Sequence, residues 1–256
     1  MFAPGKFRYV LLFINFCFFA YELVVMPGMM LNTYLMYALT GAFSITMMHR
    51  VFCHNAIQTW TWVKRLATVT ACATNVGTPI TWAGVHTLHH IYSDTPDDPH
   101  SPKVYPWWKI CLGYFDSESI AKNIGKAKRR IVEVSRDKFV VFFHRYYYLL
   151  FALMGIAVIG IFGFDNAVVY YFSPAFIASF MTYVINVVSH TWMGYSNFDM
   201  GDGSKNTLFT YPLFLGENYH NNHHKFPGAA HFKVKWWEVD PMYFWMVVLD
   251  KTRYSK

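Results

Sequence analysis

Leu66-Ala-Thr-Val-Thr-Ala-Cys-Ala-Thr-Asn-Val-Gly-Thr-Pro-Ile-Thr-Trp-Ala-Gly-Val85, followed at once by His86-Thr-Leu-His89-His90, is the stretch on which the topology turns. Residues 66–85 contain no Asp, Glu, Lys or Arg, so hydropathy alone would pass them as a membrane span. Asn75, Gly77, Pro79, Gly84 and a run of threonines argue against a simple crossing. The stronger objection is chemical. A crossing here would put His49 and His54 on one side of the bilayer and His86, His89 and His90 on the other, where they could not share a site. Residues 66–85 are therefore read as a re-entrant or interfacial helix, broken near Gly77-Thr-Pro79 and packed against protein.

Four other apolar runs flank this segment: 9–26, 29–48, 146–164 and 166–189. The first carries one charge, Glu22, and the other three carry none. At 1.5 Å per residue, about 20 helical residues cover a hydrocarbon layer of roughly 30 Å. The N-terminal run lacks a small-residue cleavage site and is followed directly by another apolar run, so it reads as a membrane helix rather than a leader. A composition of 54% hydrophobic and 14% charged residues, with mean hydropathy +0.20, agrees with a membrane protein.

The net charge of +7 follows the same topology. Lys and Arg number 2 before the first run, 13 between residues 49 and 145, and 7 after residue 190, while the two other connections have none. That asymmetry places both termini and the long loop in the cytoplasm. The expected architecture is all-α: four spans with a helical cytoplasmic cap (49–145 and 190–256), forming one unit over 1–256. The four cysteines show no Cys-x-x-Cys spacing and read as free thiols. No motif supports nucleic-acid binding.

Nine of the twelve histidines lie in three boxes and one outlier, all beside the apolar runs. The boxes are His49-Arg-Val-Phe-Cys-His54, His86-Thr-Leu-His89-His90 and His220-Asn-Asn-His223-His224, and His190 ends the fourth run. Neutral imidazole is a metal ligand near pH 7. On an α-helix, positions i, i+3 and i+4 share a face, so each His-x-x-His-His box presents its imidazoles together. His49 and His54 are about 140° apart on an ideal helix, which fits a helix that ends between them. Nine imidazoles exceed what one ion takes, and two ions is the natural count. Asn186, one turn before His190, reads as a supporting residue or a water-mediated contact. Glu217 sits in the chain's one Glu-x-x-His pair, Glu217-Asn-Tyr-His220, and is placed to orient a box imidazole rather than to bridge two irons. His100 and His231 read as loop or supporting residues, and His144 as an interfacial anchor.

The order HRVFCH, HTLHH, NVVSH, GENYHNNHH resembles the membrane fatty-acid desaturases of the Δ9 acyl type. DDPHSP (Asp97–Pro102) and WWEVD (Trp236–Asp240) are most similar to the cyanobacterial and plant-plastid branch. The resemblance covers roughly residues 35–245. It implies a four-span, mushroom-shaped fold and a di-iron centre held by His49, His54, His86, His89, His90, His190, His220, His223 and His224, with Asn186 holding a water. Zinc can take the place of iron in overexpressed protein. Asn218 stands where the family's third box usually has a second glycine. Gly84-Val85 replace the charged pair that helps animal enzymes hold CoA, which favours an acyl chain on a lipid or carrier.

The implied reaction consumes O2 and two external electrons, removes two hydrogens from adjacent methylenes of a saturated C16 or C18 acyl chain, and leaves a cis double bond and water. Trp82, Trp107 and Trp192, with Trp60, Trp62 and Trp108, are candidates to line the substrate tunnel or to form an interfacial aromatic belt. Lys122, Lys126, Lys128, Arg129 and Arg130 have two readings: docking an acidic donor (a ferredoxin or a small b-type cytochrome) or contacting lipid phosphates. The nearest rival activities are a membrane hydroxylase and a carotenoid ketolase. A rival of another class is a non-catalytic haem- or metal-carrying protein, although haem ligation wants axial histidines facing each other within the spans. Acyl length, head group, bond position, donor, membrane and oligomeric state are not set by the sequence.

Overall fold

The structure is a computed structural model that describes residues 7–191 and 193–254. Among these, regular structure is helical, and β pairing is limited to the isolated bridges Tyr195–Asn206 and Asn206–Tyr219. Helix α1 is Phe7–Val25. Residues 30–53 run on as helix α2, which widens into π turns at Tyr37–Gly41 and Met47–Cys53. Helix α3 is Thr61–Ala73, α4 Pro79–Tyr92, α5 Ser117–Val134, α6 Lys138–Arg145, α7 Tyr147–Phe162, α8 Phe164–Val188 and α9 His220–Lys225.

By length and composition, α1 and α8 could each cross a membrane, and α6 with α7 could form a third span if their 81° bend is counted as one broken crossing. Both α1 and α7 turn large apolar side chains outward, including Phe13, Val24, Ile156 and Ile161. Their single acid is hidden: Glu22 is fully buried and accepts a hydrogen bond from the Thr33 hydroxyl of α2. A carboxyl sheltered in this way avoids the cost of facing lipid.

The segment 66–85 is two helices with a break at residues 74–78. Asn75 (φ 55°) and Gly77 (φ 99°) both take left-handed backbone there, which an α-helix cannot accommodate. The Tyr147 hydroxyl secures the break, accepting from Gly77 N–H (2.9 Å) and donating to Asn75 Oδ1 (3.1 Å). Thr78 then caps α4 by accepting from Thr81 N–H, and Pro79 occupies the first turn, where a missing N–H costs nothing. Helix α4 packs along α5 and against the end of α2. The buried faces of α2, α3, α4 and α5 form one hydrophobic core around Met47, Val51, Ala67, Leu88 and Ala127, while a second core joins α7 to α8. The ends of α2 and α4 therefore meet inside the first core, and their histidines meet with them.

Candidate metal centre

Five imidazoles converge at one point and four at another. The ligand-capable nitrogens of His49, His54, His86, His90 and His223 lie within 4.8 Å of one another, as do those of His89, His190, His220 and His224. In the first group His49 Nε2–His223 Nε2 is 2.9 Å, His54 Nε2–His86 Nε2 2.8 Å, His86 Nε2–His90 Nε2 3.0 Å and His90 Nε2–His223 Nε2 2.8 Å. In the second, His190 Nε2–His220 Nε2 and His220 Nε2–His224 Nε2 are both 3.0 Å.

Helix geometry explains the division and corrects an expectation. The imidazoles of a His-x-x-His-His box do not all point to one place. Positions i and i+4 differ by about 40° around the axis, whereas i+3 lies about 100° from i+4. In α4, His86 and His90 go to the five-histidine group and His89 to the other. In α9 the senses exchange: His220 and His224 join the four, and His223 joins the five. The first box also differs from expectation. The helix does not end between His49 and His54. It widens into the π turn Met47–Cys53, with His54 N–H bonded to His49 O across five residues, and so brings positions i and i+5 to the same side.

Carboxylates fix the tautomer of four of these rings. Asp98 accepts from His89 Nδ1 (3.0 Å), Asp94 from His190 Nδ1 (3.1 Å), Asp202 from His224 Nδ1 (2.7 Å), and Glu217 from His49 Nδ1. An ionised carboxylate only accepts, so in these four rings Nδ1 carries the proton and Nε2 is the nitrogen left to face a metal. The Nε2 atoms converge at 2.8–3.0 Å, close enough for one cation to take several of them as ligands. His89 Nε2 is buried with no hydrogen-bond partner among the described residues, as such a cation would require.

Burial, reinforced by the neighbouring imidazoles, holds His54, His86, His90, His220 and His223 well below their ordinary pKa, and His224 at about 3. His89 is the exception. Burial pushes it down, but Asp98 outweighs that and raises it.

At metal–nitrogen bonds of ~2.1 Å, nitrogens at right angles stand ~3.0 Å apart and tetrahedral ones ~3.4 Å apart. Both the spacing and a five-ligand group fit an ion of higher coordination than structural zinc. Nitrogens facing across a haem iron would be ~4 Å apart, so these contacts do not form an axial pair.

Behind the five-histidine group lies a charge cluster that the sequence left unread. Arg50 is fully buried, donating to Glu217 (2.9 Å) and with two nitrogens to Asp240 (2.7 and 3.1 Å), its guanidinium 3.9 Å from the Phe232 ring centroid. Asp240 and Glu238 both belong to the WWEVD string, and Glu238 accepts from Asn222 within α9 (2.9 Å). Gly216 takes φ 110° against this cluster; a Cβ there would collide with Asp240 Oδ1. Asn218 closes the same turn, accepting from Gly216 N–H at 3.1 Å.

A cavity of about 640 Å³ reaches from His49, His86 and His220 outward along Val76, Val85, Trp82 and Met181. That volume is typical of a small-molecule site. Trp82 lines it, with its indole N–H bonded to Val76 O. Trp107 does not: it is 62% exposed on the surface, so the tunnel expectation for it is corrected, and Trp60, Trp62 and Trp108 also lie off the cavity wall. Trp192 lies outside the described residues. Asn186 and His100 both line the cavity, and His100 stacks on His89 with ring centroids 4.6 Å apart.

The fatty acid desaturase family model matches residues 23–245. The chain belongs to that family. An sn-1 stearoyl-lipid 9-desaturase of Anabaena variabilis is 31% identical over 84% of this desaturase and 77% of the relative. An sn-2 palmitoyl-lipid 9-desaturase of Nostoc sp. (strain 36) is 30% identical over 80% and 71%. A chloroplastic palmitoyl-monogalactosyldiacylglycerol delta-7 desaturase of Arabidopsis thaliana is 29% identical over 82% and 56%. This desaturase is thus an oxidoreductase acting on fatty acyl chains, and its histidine clusters are compatible with a metal site.

The basic cluster is not one surface. Lys122 pairs with Asp97 at 2.7 Å, and Lys126, Lys128 and Arg129 are exposed. Arg130 turns inward, donating to Val51 O (2.7 Å) and Phe52 O (2.6 Å) at the end of the first-box π turn. It supports the helix that carries His49 and His54, and its expected docking role is corrected.

Proposed function

We propose that this desaturase holds two iron ions, one at His49, His54, His86, His90 and His223 and one at His89, His190, His220 and His224, and uses them with O2 to place a cis double bond at Δ9 of a saturated C16 or C18 acyl chain carried on a lipid. Bound iron supplies the oxidising power to take hydrogen from an unactivated methylene, which no side chain can. The protein's own groups do the rest. Asp94, Asp98, Asp202 and Glu217 keep Nδ1 of His190, His89, His224 and His49 protonated, so that Nε2 of these four rings is the atom offered as a ligand. Asn186, beside the four-histidine group, is suited to hold a water there. The cavity walls exclude bulk water and fix one methylene beside the histidines.

The observation that carries this reading is the convergence of two imidazole groups at the inner end of one apolar cavity. The stearoyl- and palmitoyl-lipid relatives support Δ9 and a lipid-borne substrate. The topology proposed is four spans, α1, α2, α7 and α8, with 66–85 folding back and both termini and the metal centres cytoplasmic. The break at 74–78 supports it, as does the placement of Lys and Arg. An acidic donor, a ferredoxin or a small b-type cytochrome, would meet Lys126, Lys128 and Arg129. Expression in a desaturase-deficient host, with analysis of the fatty-acid methyl esters, tests the activity: a Δ9 monoene is expected. A hydroxylated product, or no change in the lipid profile, would overturn it.

A further inference from the structure

Among the described residues, three formally charged side chains line the cavity: Glu217 at the histidine end, and Arg8 and Arg145. Glu217 is fully engaged by Arg50, His49 and Thr46. The other two mark the outer end, where Arg145 and the neighbouring Phe7 (67% exposed) reach solvent.

Arg8 has no acidic partner among the described residues. Its Nε and Nη1 are buried with no hydrogen-bond partner there, and Nη2 donates only to the Tyr9 hydroxyl (2.8 Å). Its guanidinium carbon lies 4.6 Å from the Tyr9 ring centroid and 5.2 Å from that of Phe115. A guanidinium presents five N–H donors and stays charged at every physiological pH. Burying two of its nitrogens in an aromatic setting without an acceptor is costly, and an oxyanion arriving from the cavity would relieve that cost.

Distance makes the site a ruler. Phe115 is 5.3 Å from His100, and His100 is 4.6 Å from His89, ring centre to ring centre. Added to the Arg8–Phe115 separation, these steps place the Arg8 guanidinium at most about 15 Å from the His89 ring. With C–C bonds of ~1.5 Å at tetrahedral angles, an extended acyl chain advances roughly 1.25 Å per methylene, so carbon 9 stands about 10 Å from the carbonyl. An oxyanion held at Arg8, at the carbonyl or a few bonds beyond it, therefore leaves carbon 9 within reach of the histidines.

Resting on the desaturase reading above, we propose that Arg8, assisted by Arg145, anchors an oxyanion on the polar end of the acyl substrate, so that the enzyme takes acyl chains on anionic rather than neutral heads. A phospholipid phosphate and a CoA phosphate offer the same chemistry.

The test uses the full-length protein and its Arg8→Gln, Arg8→Lys and Arg145→Gln variants. The probes are stearoyl phosphatidylglycerol, stearoyl monogalactosyldiacylglycerol and stearoyl-CoA, followed by equilibrium binding without reductant and by steady-state turnover. We expect the wild type to bind at least one anionic probe about tenfold or more tightly than the galactolipid. Arg8→Gln should erase that preference through KM, leaving kcat and metal content unchanged, while Arg8→Lys keeps part of it and Arg145→Gln costs less. Whichever anionic probe is sensitive to Arg8→Gln identifies the source of the oxyanion. Equal binding of neutral and anionic heads by the wild type, or an equal loss for both in Arg8→Gln at normal metal content, overturns the proposal. Binding that depends on Arg8 with no unsaturated product would uphold the anchor and defeat the activity reading instead.

Discussion

Replacing Glu217 by Gln distinguishes the two histidine groups energetically, because Glu217 touches only one of them. Its carboxylate accepts from His49 Nδ1, Arg50 Nε and the Thr46 hydroxyl, whereas the four-histidine group leans on Asp94, Asp98 and Asp202. Burial pushes the Glu217 carboxyl up, but Arg50 and then His49 outweigh it and hold it at about 2, down from 4.5. At 1.36 kcal/mol per pKa unit that depression corresponds to about 3 kcal/mol of native-state stability. A lowered carboxyl contributes fully above its unfolded pKa, so the wild type keeps this contribution at neutral pH and loses it as pH falls from about 4.5 towards 2. The Glu217→Gln variant lacks it throughout. Arg50 stays paired with Asp240, so the fold survives, with melting lowered by about 6–12 °C at ~2–4 °C per kcal/mol for a chain of this size. Losing the partner that orients a ligating histidine costs about 10–100-fold in metal affinity, or about 1.4–2.8 kcal/mol. Dialysis against graded chelator, with metal counted per chain, reads this directly. The variant should release one ion at about 10–100-fold weaker chelation and retain the other at the wild-type point. Parallel release of both ions, or release indistinguishable from wild type, would refute the reasoning.

Asp202→Asn should give the mirror result, loosening the ion held with His224 and sparing the five-histidine group in the same titration. Arg130→Gln removes two charged hydrogen bonds to the Val51 and Phe52 carbonyls; about 2–4 kcal/mol of stability should be lost, with no change in the salt dependence of donor KM. Lys126→Glu with Lys128→Glu should do the reverse, raising donor KM several-fold at low salt while leaving melting within about 1 °C. Ala42 lines the cavity and is buried, so Ala42→Phe should shorten it, and competition between C16 and C18 substrates should swing several-fold towards the shorter chain.

The clustering of the histidines was legible in the sequence because they are of one residue type at helical spacing. What the spacing also held, and a one-face reading missed, is the roughly 100° between i+3 and i+4 that sends His89 and His223 to opposite groups from their neighbours. The π turn at His49–His54 was less accessible, since a sequence carries no mark of a helix about to widen. The supporting carboxylates were hidden for a different reason: Asp94, Asp202 and Asp240 lie in irregular segments, and only the folded chain brings them to His190, His224 and Arg50. Arg130 and Trp107 show the converse error, since residue type suggested a surface role for one and a buried role for the other. The break after Ala73 was readable from Asn75, Gly77 and Pro79, each of which opposes continuous helix at its own position.

The central claim is that nine imidazoles from four distant segments make two separate iron sites, divided five and four. Anomalous scattering at the iron edge from the purified, iron-loaded protein tests it most directly. The account predicts two peaks, one among His49, His54, His86, His90 and His223 and one among His89, His190, His220 and His224. A single peak, or iron bound away from either group, would contradict it.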